Sequence, residues 1–168
     1  NNKKAYRTGD FSAQARAMDA SMRAIEANLL SCTIWNYTAD NSNERGDQWN
    51  DEDLSIFSRD QQTDPSDIHS GGRALPAVVR PYVHKVAGEP QRMAFDYRRR
   101  IFEFEFRHDP SVTAPTEILV PNCQYPLGCV VETSDGTYEQ DEAKQTLLYW
   151  HSAERQAHRI IIKPRLIE

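Results

Sequence analysis

The sequence predicts an α/β segment of the kind that closes a (β/α)₈ TIM barrel, followed by a small antiparallel β-sandwich. Three observations carry this. An amphipathic helical pattern leads directly into a short apolar run. A long polar loop and a second helical pattern come next. Past Pro90 the hydrophobic period changes from 3.6 to 2.

The first helix is expected from about Asp10 to Asn28. Asp10 is placed as an N-cap, and Phe11, Ala15, Met18, Met22, Ile25 and Leu29 recur at intervals of three and four, which puts them on one face. The run Leu29–Tyr37 is too short for another helix. It is rich in β-branched and aromatic residues and lacks strict alternation, as a parallel strand buried on both faces does. Thr38–Asp53 then turns to Asn, Asp, Glu, Gly and Ser around one large aromatic, Trp49. Loops of this length commonly bind or cover a ligand. Leu54–Phe57 reads as ordered, and Arg59–Ser70 as a polar insertion or disordered segment. Gly72–Val86 resumes a helical pattern in which Pro81 must lie at a kink or near the end.

Gly88–Pro90 breaks the chain. The boundary is placed there, giving 1–88 as barrel portion and 89–168 as sandwich. Ile101–Arg107 alternates strictly and lines up Phe102, Phe104 and Phe106 on one face. Further strands are expected at Thr116–Val120, Cys129–Thr133, Thr137–Glu139, Thr146–Trp150 and His158–Lys163, with Asp135–Gly136 as a hairpin turn.

Composition narrows the function. With 27% charged and 39% hydrophobic residues the chain is an ordinary globular protein, and no apolar run reaches the roughly 18 residues of a membrane span. The net charge is -5, and the densest basic run, Arg98–Arg100, falls within a strand-like pattern, so nucleic acid is not an expected partner. The three cysteines form no CxxC. Cys123 and Cys129 could pair across their loop, but free thiols and a cytoplasmic location fit better. Asn1–Ala5 shows no initiator Met and no signal core, and is read as a start within a longer protein.

In α/β units ligands bind at the carboxyl ends of the strands, which directs attention to Trp35, Asn36 and Tyr37 and to the loop after them. Trp35 is either core or an exposed platform. Asn36 and Tyr37 either bond a ligand or satisfy the loop backbone. Trp49 either lines a pocket or pins its own loop. Asp40, Asn41, Asn43 and Asp47 lack EF-hand spacing and read as turn and capping residues. The five histidines, His69, His84, His108, His151 and His158, show no metal-ligand spacing and read as surface or strand residues. No metal or cofactor is expected.

Leu30–Tyr37, Asp40–Asn50 with Glu52–Ser58, and Gly71–Leu75 through Arg80–Tyr82 together resemble glycoside hydrolase family 5, in its endoglycoceramidase-related branch of fungal glucosylceramidases and sterylglucosidases. The resemblance is specific between about Leu30 and Gly88 and looser over the sandwich. It implies a retaining β-glucosidase acting on a lipid glucoside, with two carboxylates about 5 to 5.5 Å apart. The Gly-Glu-Phe-Gly type motif that holds the family's nucleophile is absent from this chain, so the resemblance places the catalytic carboxylates in an upstream barrel portion. It assigns Trp35 as the platform for the glucose, Asn36 and Tyr37 as substrate contacts, and Trp49 as part of the pocket for the lipid. The chain alone is expected to be inactive. The competing expectation is a non-catalytic carbohydrate- or protein-binding β-sandwich with a helical appendage.

Overall fold

The computed structural model describes residues 3–166, in two compact units: 3–21 with 31–78, and 22–30 with 79–166. A short helix, α1 (Lys3–Thr8), precedes α2 (Ser12–Ala27). Asp10 acts as expected, its Oδ1 accepting the Ser12 N–H at 2.9 Å. Along α2, Ala15 is buried and Phe11, Met18, Met22 and Ile25 are half-buried, in agreement with the greasy face, whereas Leu29 beyond its end is exposed.

Leu30–Tyr37 differs from expectation, because it forms no ladder among the described residues. A strand exists through a paired neighbouring strand, and among the described residues none is paired with this stretch. Arg59–Ser70 is ordered. It opens with a 3₁₀ turn (Arg59–Gln61), and Asp64, Asp67 and Ser70 accept backbone N–H groups of Ser66, His69, Thr63 and Asp64. The helix expected through Val86 stops early, as α3 (Leu75–Val78). Pro81 has no N–H to continue it and disfavours helical geometry at Arg80.

Among the described residues the β-rich unit holds eight strands: β1 (Tyr82–Lys85), β2 (Gly88–Asp96), β3 (Ile101–His108), β4 (Thr116–Leu119), β5 (Cys129–Thr133), β6 (Thr137–Asp141), β7 (Thr146–Trp150) and β8 (Ala157–Pro164). They form two antiparallel four-stranded sheets, ordered β1-β4-β7-β6 and β2-β3-β8-β5. Every strand expected from the alternating pattern is present. Two more, β1 and β2, begin ahead of and across the Gly88–Pro90 break. Both are sheet edges with a register shift, and Pro90 is tolerated in β2 because an edge strand pairs on one side only.

The core is the set of inward stripes. Phe102, Phe104 and Phe106 of β3 and Ile160 and Ile162 of β8 meet Ile118 of β4 and Leu147 and Tyr149 of β7, all essentially inaccessible. Phe106 lies edge-on to Tyr149 at 6.2 Å between centroids. The Asp135–Gly136 turn is not a hairpin. β5 pairs with β8 and β6 with β7, so this turn carries the chain from one sheet to the other. Gly136 has φ +67°, and a Cβ there would fall 2.1 Å from the Trp150 carbonyl oxygen.

Candidate substrate-facing segment

The site candidates lie on a loop whose polar residues bind one another. Asp47 is its anchor. Its Oδ1 accepts the Trp49 N–H (3.1 Å), and its Oδ2 accepts Asn36 Nδ2 (2.7 Å) and the Leu54 N–H (3.3 Å). Burial alone would raise the Asp47 carboxyl pKa. The donors from Asn36, Trp49 and Leu54 outweigh that and hold it below the ordinary carboxylate value. Ser55 Oγ accepts the N–H groups of Thr38 and Phe57, and the Ile56 N–H bonds the Asn36 carbonyl at 3.0 Å, which joins the two ends of the loop. At Gly46, φ is +60° and a Cβ would meet the Glu52 carbonyl oxygen at 2.0 Å, so only glycine fits.

Arg73 holds the other side. It is buried, pairs with Asp53 Oδ1 at 2.7 Å, and donates to Gln61 Oε1 (3.0 Å) and Asn43 Oδ1 (2.7 Å). Its guanidinium lies 5.3 Å from both the Tyr6 and Phe11 ring centroids. Tyr6 donates to Asp53 Oδ2 at 2.5 Å. Burial first, then the Asp53 hydrogen bond and charge, push its phenol up to about 12. Asn43 and Asp47 thus serve the loop and Arg73, as turn and capping residues do. Asp40 accepts from Gln48 Nε2 at 3.0 Å.

On this braced frame the four candidates separate. Asn36 donates to Asp47 Oδ2 and accepts from Thr38 Oγ1 at 3.1 Å, which leaves one amide N–H and one oxygen lone pair unused by these two bonds. Tyr37 is exposed and packs against Phe57 at 5.5 Å between centroids. Trp35 and Trp49 are exposed in this chain, with relative exposures of 65% and 59%. The Trp35–Asn36 peptide is cis. The pattern of residues gave no sign of Arg73, Asp53 or Tyr6. Their sequence separations are large, and a buried ion pair carries no local periodicity.

Residues 80–162 match the family profile described as "Glycoside hydrolase family 5 C-terminal domain". Among characterised proteins the chain is 34% identical over 163 residues to a glucosylceramidase of Rhizopus delemar, an alignment covering 89% of this chain and 24% of that protein. It is 27% identical to the ergosteryl-beta-glucosidase of Saccharomyces cerevisiae over 98% of this chain and 29% of that protein. The crystal structure of Cryptococcus neoformans sterylglucosidase 1 with tris superposes with a TM-score of 0.87 at 33% identity, over 98% of this chain and 26% of that one. The chain therefore spans about a quarter of the length of the relatives it matches. With its β-rich unit matching the family profile and its whole length following these relatives, the chain belongs to glycoside hydrolase family 5, as the C-terminal part of such a protein.

Proposed function

We propose that this chain completes a retaining β-glucosidase acting on a lipid glucoside, either a steryl glucoside or glucosylceramide. Its last barrel unit supplies one aromatic wall of the glucose site, and the catalytic carboxylates come from an upstream TIM-barrel portion. The observation that carries the reading is Trp35: a large ring, 65% exposed, on a segment whose neighbour Asn36 is clamped by Asp47 and Thr38. The axial C–H groups of a β-glucoside present an apolar, slightly positive face to such a ring, and contact removes apolar surface from water on both sides. Leu30, Tyr37 and Leu54 are also exposed, as suits a unit designed to pack within a larger barrel. Trp49 lies on the same braced loop and suits the apolar aglycone. Cys32, Cys123 and Cys129 are free thiols, in keeping with a reducing, cytoplasmic location.

The β-sandwich is read as structural support. The outward side of β2, β3 and β8 carries ion pairs, Arg92–Glu103 at 2.6 Å and Arg159–Glu103 at 3.3 Å, where a glycan-binding face would present aromatic rings. In the complete enzyme, Trp35→Ala should lower kcat/KM for a steryl or ceramide glucoside by about 10- to 100-fold, the order of one buried aromatic contact. The thermal midpoint should stay within about 2 °C, because an exposed ring contributes little to folding. Wild-type turnover by the folded variant would remove Trp35 from the site.

A further inference from the structure

The inward stripes of three strands each end in a histidine. Phe102, Phe104 and Phe106 continue in phase to His108, Leu147 and Tyr149 continue to His151, and Ile162 and Ile160 continue back to His158. Alternation therefore turns all three imidazoles into the space between the sheets at one end of the sandwich. One ring nitrogen of each lies within 4.8 Å of the others. His158 is fully buried, with a side-chain exposure of 0%.

The surroundings are those of a ligand set. Asp135, brought there by the sheet-crossing turn, accepts from His158 Nδ1 at 2.9 Å, and is itself held by Tyr149 OH (3.0 Å), the Ser152 N–H (2.8 Å) and Ser134 Oγ (2.6 Å). A proton on His158 Nδ1 leaves the Nε2 lone pair aimed at the cluster, where His108 Nδ1 stands 2.9 Å away. His151 stacks on His108 at 4.7 Å between centroids, yet its Nδ1 is buried and has no hydrogen-bond partner among the described residues. A network built only of hydrogen bonds among the described residues leaves that nitrogen unsatisfied, which is unfavourable for a buried polar atom. A cation at the centre would satisfy all three rings. Tetrahedral zinc binds imidazole nitrogen at about 2.0–2.1 Å, which sets ligand nitrogens about 3.3 Å apart, so shifts of an ångström or so bring these three into place.

We infer that His108, His151 and His158 form a site for a divalent transition metal of the zinc class, with Asp135 orienting His158 from behind. Carboxylates behind metal-bound imidazoles fix the tautomer in this way. The fourth position is left to water. The site lies within the β-rich unit, and its role is to lock the two sheets together at that end.

The test uses the protein expressed from its full coding sequence, without a polyhistidine tag and stripped with chelator. Titration with Zn²⁺, and with Co²⁺ for its tetrahedral visible bands, should give one equivalent more in the wild type than in either His151→Phe or His108→Phe, which keep an aromatic ring in place. Affinity should fall at least about 100-fold in these variants, and about 10- to 100-fold in Asp135→Asn. Should the variants fail to fold, X-ray absorption of the zinc-loaded wild type decides: a shell containing three imidazoles supports the site. Absence of that extra equivalent, its persistence in both Phe variants, or a shell without imidazole would overturn the inference.

Discussion

Asp47 shows how one carboxylate can hold a loop that has no regular structure. Its three donors come from Asn36, Trp49 and Leu54, so a single side chain ties the end of the Leu30–Tyr37 segment to both limbs of the loop. Because its pKa is held below the ordinary value of 3.8, the ionised form stabilises the fold above about pH 4, and that contribution is lost as pH falls through the lower, folded-state value. An Asp47→Asn variant should be less stable at neutral pH and should lose less of its thermal midpoint on going from about pH 5 to about pH 3. Midpoints measured across that range check both parts. Equal slopes for the two proteins would show that the carboxylate is not what holds the loop. At this scale the residues that act together are far apart in sequence: Arg73 reaches Asp53, Gln61 and Asn43, and no pattern of spacing announces such a set.

Among elements, the turn at Asp135–Gly136 matters most. A Gly after Asp between two alternating runs reads locally as a hairpin, but β5 and β6 each find a better partner, β8 and β7. The consequence is chemical as well as topological, since the crossing swings Asp135 inward against His158 and Tyr149. Gly136→Ala should destabilise the protein by at least about 2 kcal/mol, combining left-handed backbone strain with a clash against the Trp150 carbonyl. Chemical denaturation measures it, and a loss under about 0.5 kcal/mol would mean that the turn relaxes freely. The edge strands β1 and β2 escaped the sequence reading for a related reason. Gly88 and Pro90 are breakers in a central strand, yet they are compatible with a bulged edge.

At the scale of the whole molecule, the end of α2 belongs to the same compact unit as the sandwich, although more than fifty positions separate Glu26 from Arg80. Glu26 and Arg80 are both buried and form a two-pronged pair at 2.6 and 2.9 Å. Glu26 also accepts the Phe95 N–H, and Arg80 donates to the Phe95 carbonyl at 2.9 Å and lies over its ring. Glu26→Ala removes both prongs of the pair and the acceptor of the buried Phe95 N–H, so it should cost about 3–5 kcal/mol. Replacing both, as Glu26→Leu with Arg80→Met, should recover a large part of that loss. A double-mutant cycle on thermal or denaturant unfolding tests this, and simple additivity of the two changes would show that the pair is not a coupled unit.

The sequence by itself determined the helical face of α2, the phase of strands β3 to β8, the aromatic stripe that becomes the core, and the kinship with family 5. All of these are local: a period of 3.6 or 2 reports which side of an element is wet, and a motif reports its own neighbours. Only the tertiary structure decided that Leu30–Tyr37 forms no ladder among the described residues. It alone decided that Asn36 bonds Asp47, that the Asp135–Gly136 turn crosses between sheets, and that His108, His151 and His158 meet. The sequence left these histidines reading as surface or strand residues, because whether three such positions share one point depends on strand order and register. Those are set by long-range pairing, which leaves no trace in the spacing of any one strand.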